Sequence, residues 1–222
     1  MKLRISSLTI LCLALAAIPV WAQNWSYDNG PINGTTDAWT INFGYIVSNT
    51  FTAGGATTGF EFGAWEFPGD SLSSVDWSVS TQENGGTFIA QGTAKGCCGP
   101  GGSGGSLTDT FISSNQYGYN IDLITVTGLN VPTTNGTTYW LNLQNAVVPS
   151  GDPVYWDENS GVGCGGSGCP SSASESALGT IPSEAVTVGG GTSGTTPEPG
   201  TILLFGTGAL GLIGALRRRT SR

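Results

Sequence analysis

The apolar residues in the middle of this chain recur with a period of two, and that alternation restricts it to a β fold. From Trp39 onward, Trp39, Ile41, Phe43, Tyr45 and Val47 fall on one face of an extended segment, with Thr40, Asn42 and Gly44 on the other. Over 59–67, Phe60, Phe62 and Ala64 point one way, and Trp65 and Phe67 the other. Val75, Trp77 and Val79 alternate with Ser74, Asp76 and Ser78. Further strands are expected over 87–94, 107–113, 119–127, 137–146 and 184–188, separated by Gly, Asn, Ser and Pro. Outside the two ends no helical apolar period is sustained, and no βαβ spacing occurs. Eight or nine short strands of this kind predict an antiparallel β-sandwich of the jelly-roll type.

Both ends read as targeting segments flanking that domain. Lys2 and Arg4 precede an apolar run over 8–20, and Val20 and Ala22 stand where a signal peptidase reads before Gln23. This is the secretory pattern, and the run falls short of the roughly 20 residues of a comfortable span. Cys12 follows Ile10 and Leu11 rather than a small residue, so lipidation there is not expected. The expected organisation is a signal peptide over 1–22, a β-sandwich over 23–188, a Gly/Thr/Ser tether over 189–196 and a sorting segment over 197–222.

The sorting segment has a definite build. Pro197, Glu198 and Pro199 precede an apolar run over 201–216, and Arg217, Arg218 and Arg219 follow it. The arginines stay cytoplasmic by the positive-inside rule, which puts the domain outside. As a hydrophobic helix the 16 residues of 201–216 reach only about 24 Å, against roughly 30 Å of hydrocarbon. Such a marginal span suits a transient hold on the inner membrane. Pro-Glu-Pro, a short Gly/Leu-rich span and terminal arginines together resemble the PEP-CTERM sorting signal. That resemblance implies an exosortase-like processing enzyme as partner, in a Gram-negative bacterium that makes exopolysaccharide. It covers only the tail and leaves the domain's activity open. An ordinary short anchor is the alternative.

Charge and composition narrow the function. Over 23–196 Lys95 is the only basic residue, against fourteen of the fifteen acids. So acidic a domain repels phosphate backbones, and nucleic-acid binding is not expected. The chain has no histidine, which removes the commonest general base and most catalytic zinc sites. No cofactor or metal is expected; calcium is permissible, but no EF-hand or repeat-type loop is present.

Cys97, Cys98, Cys164 and Cys169 sit in two glycine-rich insertions, 96–106 and 161–176, expected to be surface loops. An even count in an exported chain points to two disulfides, with three pairings open. Carboxylates are the remaining catalytic candidates: Glu61, Glu66, Asp70 and Asp76, and a second group of Asp152, Asp157 and Glu158. A glycosidase would need two of them across one bond, about 5–9 Å apart. The aromatics offer a binding site instead. Trp65, on the face opposite Phe60 and Phe62, and Tyr155 or Trp156 are expected to give a flat platform for a sugar ring, with Asp157 and Asn159 binding hydroxyls. The expected function is therefore a non-catalytic surface or matrix protein that binds polysaccharide. A secreted glycan hydrolase and a purely structural coat or adhesion module are the alternatives.

Overall fold

The computed structural model describes residues 25–96, 104–159 and 171–190. Within them the chain is all-β, with thirteen strands. These are β1 (Trp25–Asp28), β2 (Ala38–Thr40), β3 (Ile46–Thr52), β4 (Thr57–Glu66), β5 (Ser74–Ser80), β6 (Phe88–Lys95) and β7 (Ser106–Ser114). They continue as β8 (Asn120–Val131), β9 (Thr138–Val147), β10 (Tyr155–Asp157), β11 (Ala173–Glu175), β12 (Gly179–Ile181) and β13 (Val186–Gly190).

Hydrogen bonding links the main path in the order β1-β13-β4-β8-β7-β6-β5-β9-β3-β11-β12. Between β6 and β7 the link is a single parallel pair, Lys95 with Ser106. It divides the path into two layers, β1-β13-β4-β8-β7 and β6-β5-β9-β3-β11-β12. The chain passes repeatedly between the layers, β3 to β4 to β5 and β8 to β9, as in an all-β sandwich. Their inner faces meet in one core. Phe60 of β4 packs edge-on against Trp77 of β5 at 6.3 Å, and Tyr27 of β1 against Phe51 of β3 at 6.3 Å. Interdigitation of this kind is what removes the alternating apolar residues from water.

The alternation over 39–47 is not one strand. Phe43 and Gly44 have φ of 56° and 90°, and Tyr45 N–H donates to Asn42 O at 3.1 Å. A tight turn therefore separates β2 from β3. Ile41 and Val47 stay in the core, while Phe43 and Tyr45 project into solvent. The short strands β1, β10, β11 and β12 are additions to the expected set. β11 and β12 extend the β3 edge, so the end of the 161–176 insertion is sheet rather than surface loop. Glu175 closes their turn by accepting from the N–H groups of Ala177 and Leu178. Gly189 and Gly190 pair with β4, which shortens the expected tether by two residues.

A flap over 29–37 covers the outer face of β4. Gly63 is required there: a Cβ on it would come within 2.7 Å of Ile32 Cγ2 and 2.9 Å of Asp157 Cβ. The end of β4 is consequently covered on both sides. That double cover decides what the neighbouring aromatic and acidic residues do.

Candidate functional site

The five residues expected to bind a ligand are brought together, but mostly below the surface. β10 pairs with the end of β4, setting Tyr155 opposite Trp65 and Trp156 opposite Ala64. Trp156 thus faces inward with Phe62, at 5.8 Å edge-on. It is 0% exposed and its Nε1–H donates to Ala185 O at 2.9 Å. Trp156 is therefore a core residue rather than a stacking platform. Trp65 faces outward but is only 5% exposed, and its Nε1–H donates to Asp157 Oδ1 at 2.6 Å. Asp157 also accepts from the N–H groups of Asn33, at 2.8 Å, and Gly34, at 3.1 Å. Its carboxylate is the clasp of the flap. Burial raises its pKa, while the Trp65, Asn33 and Gly34 hydrogen bonds oppose that rise. Asn159 is buried as well, its amide against Gly30, where a Cβ would stand 2.8 Å from Nδ2.

What reaches solvent is a set of rings around Trp65. Tyr117 stacks on the indole at 5.9 Å with planes 22° apart. Tyr119 lies 5.8 Å from it, Phe67 lies 4.9 Å from Tyr119, and Tyr155 meets Tyr119 edge-on at 5.6 Å. Tyr117 is 56% exposed and Phe67 38%. The β7–β8 hairpin turn sets the two tyrosines: Asn115 Oδ1 accepts from the N–H groups of Tyr117 and Tyr119, both at 3.0 Å. Gly118, with φ of 88°, gives that turn the left-handed residue it needs. Tyr117 escaped sequence reasoning because it lies in a turn rather than on an alternating strand, and Tyr119 enters that reasoning only as the first residue of the strand over 119–127.

The inner face at the same end of the sheet carries acids. Register places Glu66 beyond Phe60, Phe62 and Ala64 on β4, Asp122 beyond Val126 and Ile124 on β8, and Asp109 beyond Leu107 on β7. One carboxylate oxygen of each lies within 4.8 Å of the others. The Pro68-Gly69 turn, with Asp70 N–H donating to Phe67 O at 3.0 Å, folds the chain back over them. Ser71 Oγ and Leu72 N–H then donate to Asp109 Oδ2 at 2.8 and 2.7 Å. Burial, together with Asp109, Asp122 and Asp70, pushes the Glu66 carboxyl up to about 8. Burial and Asp109 push Asp122 up to about 6. Among the described residues this is the set whose geometry can hold a metal ion. An acid at the inward end of an apolar alternation on three strands is the sequence signal that would have found it.

The other acids are dispersed. Glu61 accepts from Thr125 Oγ1 at 3.0 Å, Asp70 from Ser150, and Asp76 from Thr93 and Asn145. Glu61 also lines a cleft of about 180 Å³ beside Pro31, Ile32 and Thr187, with Asp28 as its second acid. Asp28 Oδ1 already accepts from Gly30 N–H at 2.8 Å. A separate buried carboxyl, Glu184, is held well above the ordinary carboxylate range by burial and by Glu158, Asp157 and Asp37.

Cys97, Cys98, Cys164 and Cys169, the signal peptide expected over 1–22, and Pro197, Glu198, Pro199 and Arg217 to Arg219 lie outside the described residues. No helix among the described residues is long and apolar enough to cross a membrane; the expected span over 201–216 is outside them. No curated protein matches the chain at a significant level. Residues 195–219 match the PEP-CTERM protein-sorting motif. That motif marks a protein secreted across the inner membrane of a Gram-negative bacterium and recognised by an exosortase for sorting to the surface. The all-β domain is therefore followed by a PEP-CTERM sorting motif, which supports an exosortase-sorted extracellular protein.

Proposed function

We propose that this protein is a non-catalytic component of the cell surface or extracellular matrix that binds polysaccharide through the rings at the end of β4. The observation that carries this reading is the Trp65–Tyr117 stack. A buried indole, fixed by Asp157, holds a tyrosine whose other face is open to solvent. A rigid aromatic face of this kind takes the flat apolar side of a sugar ring at little entropic cost. Phe67 and Tyr155 widen the surface, and an anionic domain of one lysine favours neutral glycans over acidic ones. The rival hydrolase reading needs two acids free to act across an open cleft, whereas Asp28 and Glu61 each serve a local hydrogen bond.

The tail belongs to the same reading. The span over 201–216 holds the chain at the inner membrane until an exosortase-like enzyme removes everything from about Pro197 onward.

The test is a glycan array with the exported domain and its Tyr117→Ala variant. Loss of one stacking ring is expected to weaken binding by about 1–3 kcal/mol, by analogy with base stacking, with Tm unchanged. Retention of no polysaccharide by the parent domain, or equal binding by the variant, refutes the stacking site. For the tail, intact mass is compared between cells with and without the exosortase; a chain ending at Arg222 in both means an ordinary anchor.

A further inference from the structure

We propose that Glu66, Asp109 and Asp122 form a divalent-cation site of the calcium class, on the core side of the sheet and independent of the aromatic face. Three observations converge on it. The first is spacing. Two oxygens on one calcium at 2.3–2.6 Å can stand at most about 5 Å apart, and the three carboxylates here each offer an oxygen within 4.8 Å of the others. Calcium tolerates irregular oxygen shells, whereas magnesium demands near-ideal octahedral geometry at about 2.1 Å and dehydrates reluctantly, so calcium is the better fit.

The second is an unmet need. Glu66 is 0% exposed, and among the described residues neither of its carboxylate oxygens has a hydrogen-bond partner. Asp122 is buried too, and its Oδ2 has none. A buried carboxylate without donors is among the costliest groups a fold can hold, and buried charges are ordinarily paired or bound to metal. Asp157, by contrast, is satisfied by three donors; Glu184 shares the lack of donors but belongs to no group of three acids within reach of one ion among the described residues.

The third is that the chain offers no counter-charge. Lys95 is the only base between Arg4 and Arg217, and it is exposed at the end of β6. Every charged neighbour of Glu66 is another acid. A cation from solution is the partner of matching sign. Its route in is Asp109, which is half-exposed and has Oδ2 already oriented by Ser71 and Leu72. Waters complete the coordination shell, as is common where the protein supplies few ligands.

The experiment titrates the exported protein with calcium chloride, magnesium chloride and terbium chloride, reading heat, Tm and terbium luminescence excited through tryptophan. One calcium per chain is expected, with Kd on the order of 10⁻⁴–10⁻³ M, typical of extracellular modules. Calcium should raise Tm by several degrees and magnesium should do much less. Glu66→Gln keeps the shape and is expected to weaken calcium at least about tenfold, and Asp122→Asn is the second variant should the first fold poorly. Glu83→Gln, at an exposed acid remote from the cluster, is expected to leave affinity unchanged. Absence of saturable calcium binding overturns the proposal and leaves Glu66 as a protonated acid. Equal affinity in Glu66→Gln and the parent overturns it as well, assigning the calcium to the acidic surface.

Discussion

Asp157 and Glu66 are both buried carboxyls at the end of β4, one on its outer side and one on its inner side, and they are treated in opposite ways. Asp157 receives the Trp65 indole N–H and two backbone N–H groups, so its charge is stabilised and it fastens the flap. Glu66 receives nothing from the described residues and faces two other acids. A carboxylate with three donors is a structural bolt; one without donors has to take up a proton or a cation. Position in the core is therefore a poor guide to role. The partner list decides it.

The largest effect is expected of Trp156→Ala, which empties the core space between Phe62 and β10. It should cost about 3–5 kcal/mol in urea unfolding; a near-neutral result would remove Trp156 from the core and reopen it as a ligand platform. Asp157→Ala comes next. It strands the Trp65, Asn33 and Gly34 donors, and about 2–4 kcal/mol is expected, together with proteolytic clipping within 29–37. Unchanged protection of that segment would mean that the flap is held by Ile32 packing alone.

Glu184 extends the comparison to pH. Its folded pKa lies above the ordinary 4.5 because of burial, then Glu158, Asp157 and Asp37. Below about pH 4.5 the acid is neutral in both states and no stability is lost. As pH rises past that value the unfolded chain ionises first, so stability falls, by up to about 1.4 kcal/mol per pH unit for one such proton. Chemical unfolding measured from pH 5 to pH 8 should show this decline, and Glu184→Gln should flatten it. A slope identical in the variant would assign the decline to other acids. The smallest change is expected of Glu66→Gln in chelator-treated protein, within about 1 kcal/mol of the parent or more stable, since no donor is lost. A loss as large as that of Asp157→Ala would show that Glu66 has donors after all.

Much of the sandwich was legible because β4, β5 and β9 each carry an unbroken alternation on a long strand. The break at Phe43 and Gly44 was not, since the apolar alternation continues straight through a turn whose two residues have positive φ. β10 and β11 are three residues each and exist because longer strands flank them, which no local pattern encodes. The aromatic site was half legible. Trp65 and Tyr155 belong to it, but sequence does not tell that a flap about thirty residues earlier in the chain, anchored by Asp157, would bury the first and that Tyr117 would stand on top. The tail was legible outright, because a sorting signal is a linear string read by another protein.

One pairing has a consequence for how this protein reaches the surface. β13 lies between β1 and β4, with Gly189 opposite Trp25. The layer therefore cannot close until the chain has left the export machinery as far as Gly190. Six residues then separate Gly190 from Pro197, at most roughly 22 Å of fully extended chain. The last strand of the sheet and the sorting motif, matched from residue 195, therefore follow one another within a few residues. An enzyme that recognises the motif works within that short reach of β13.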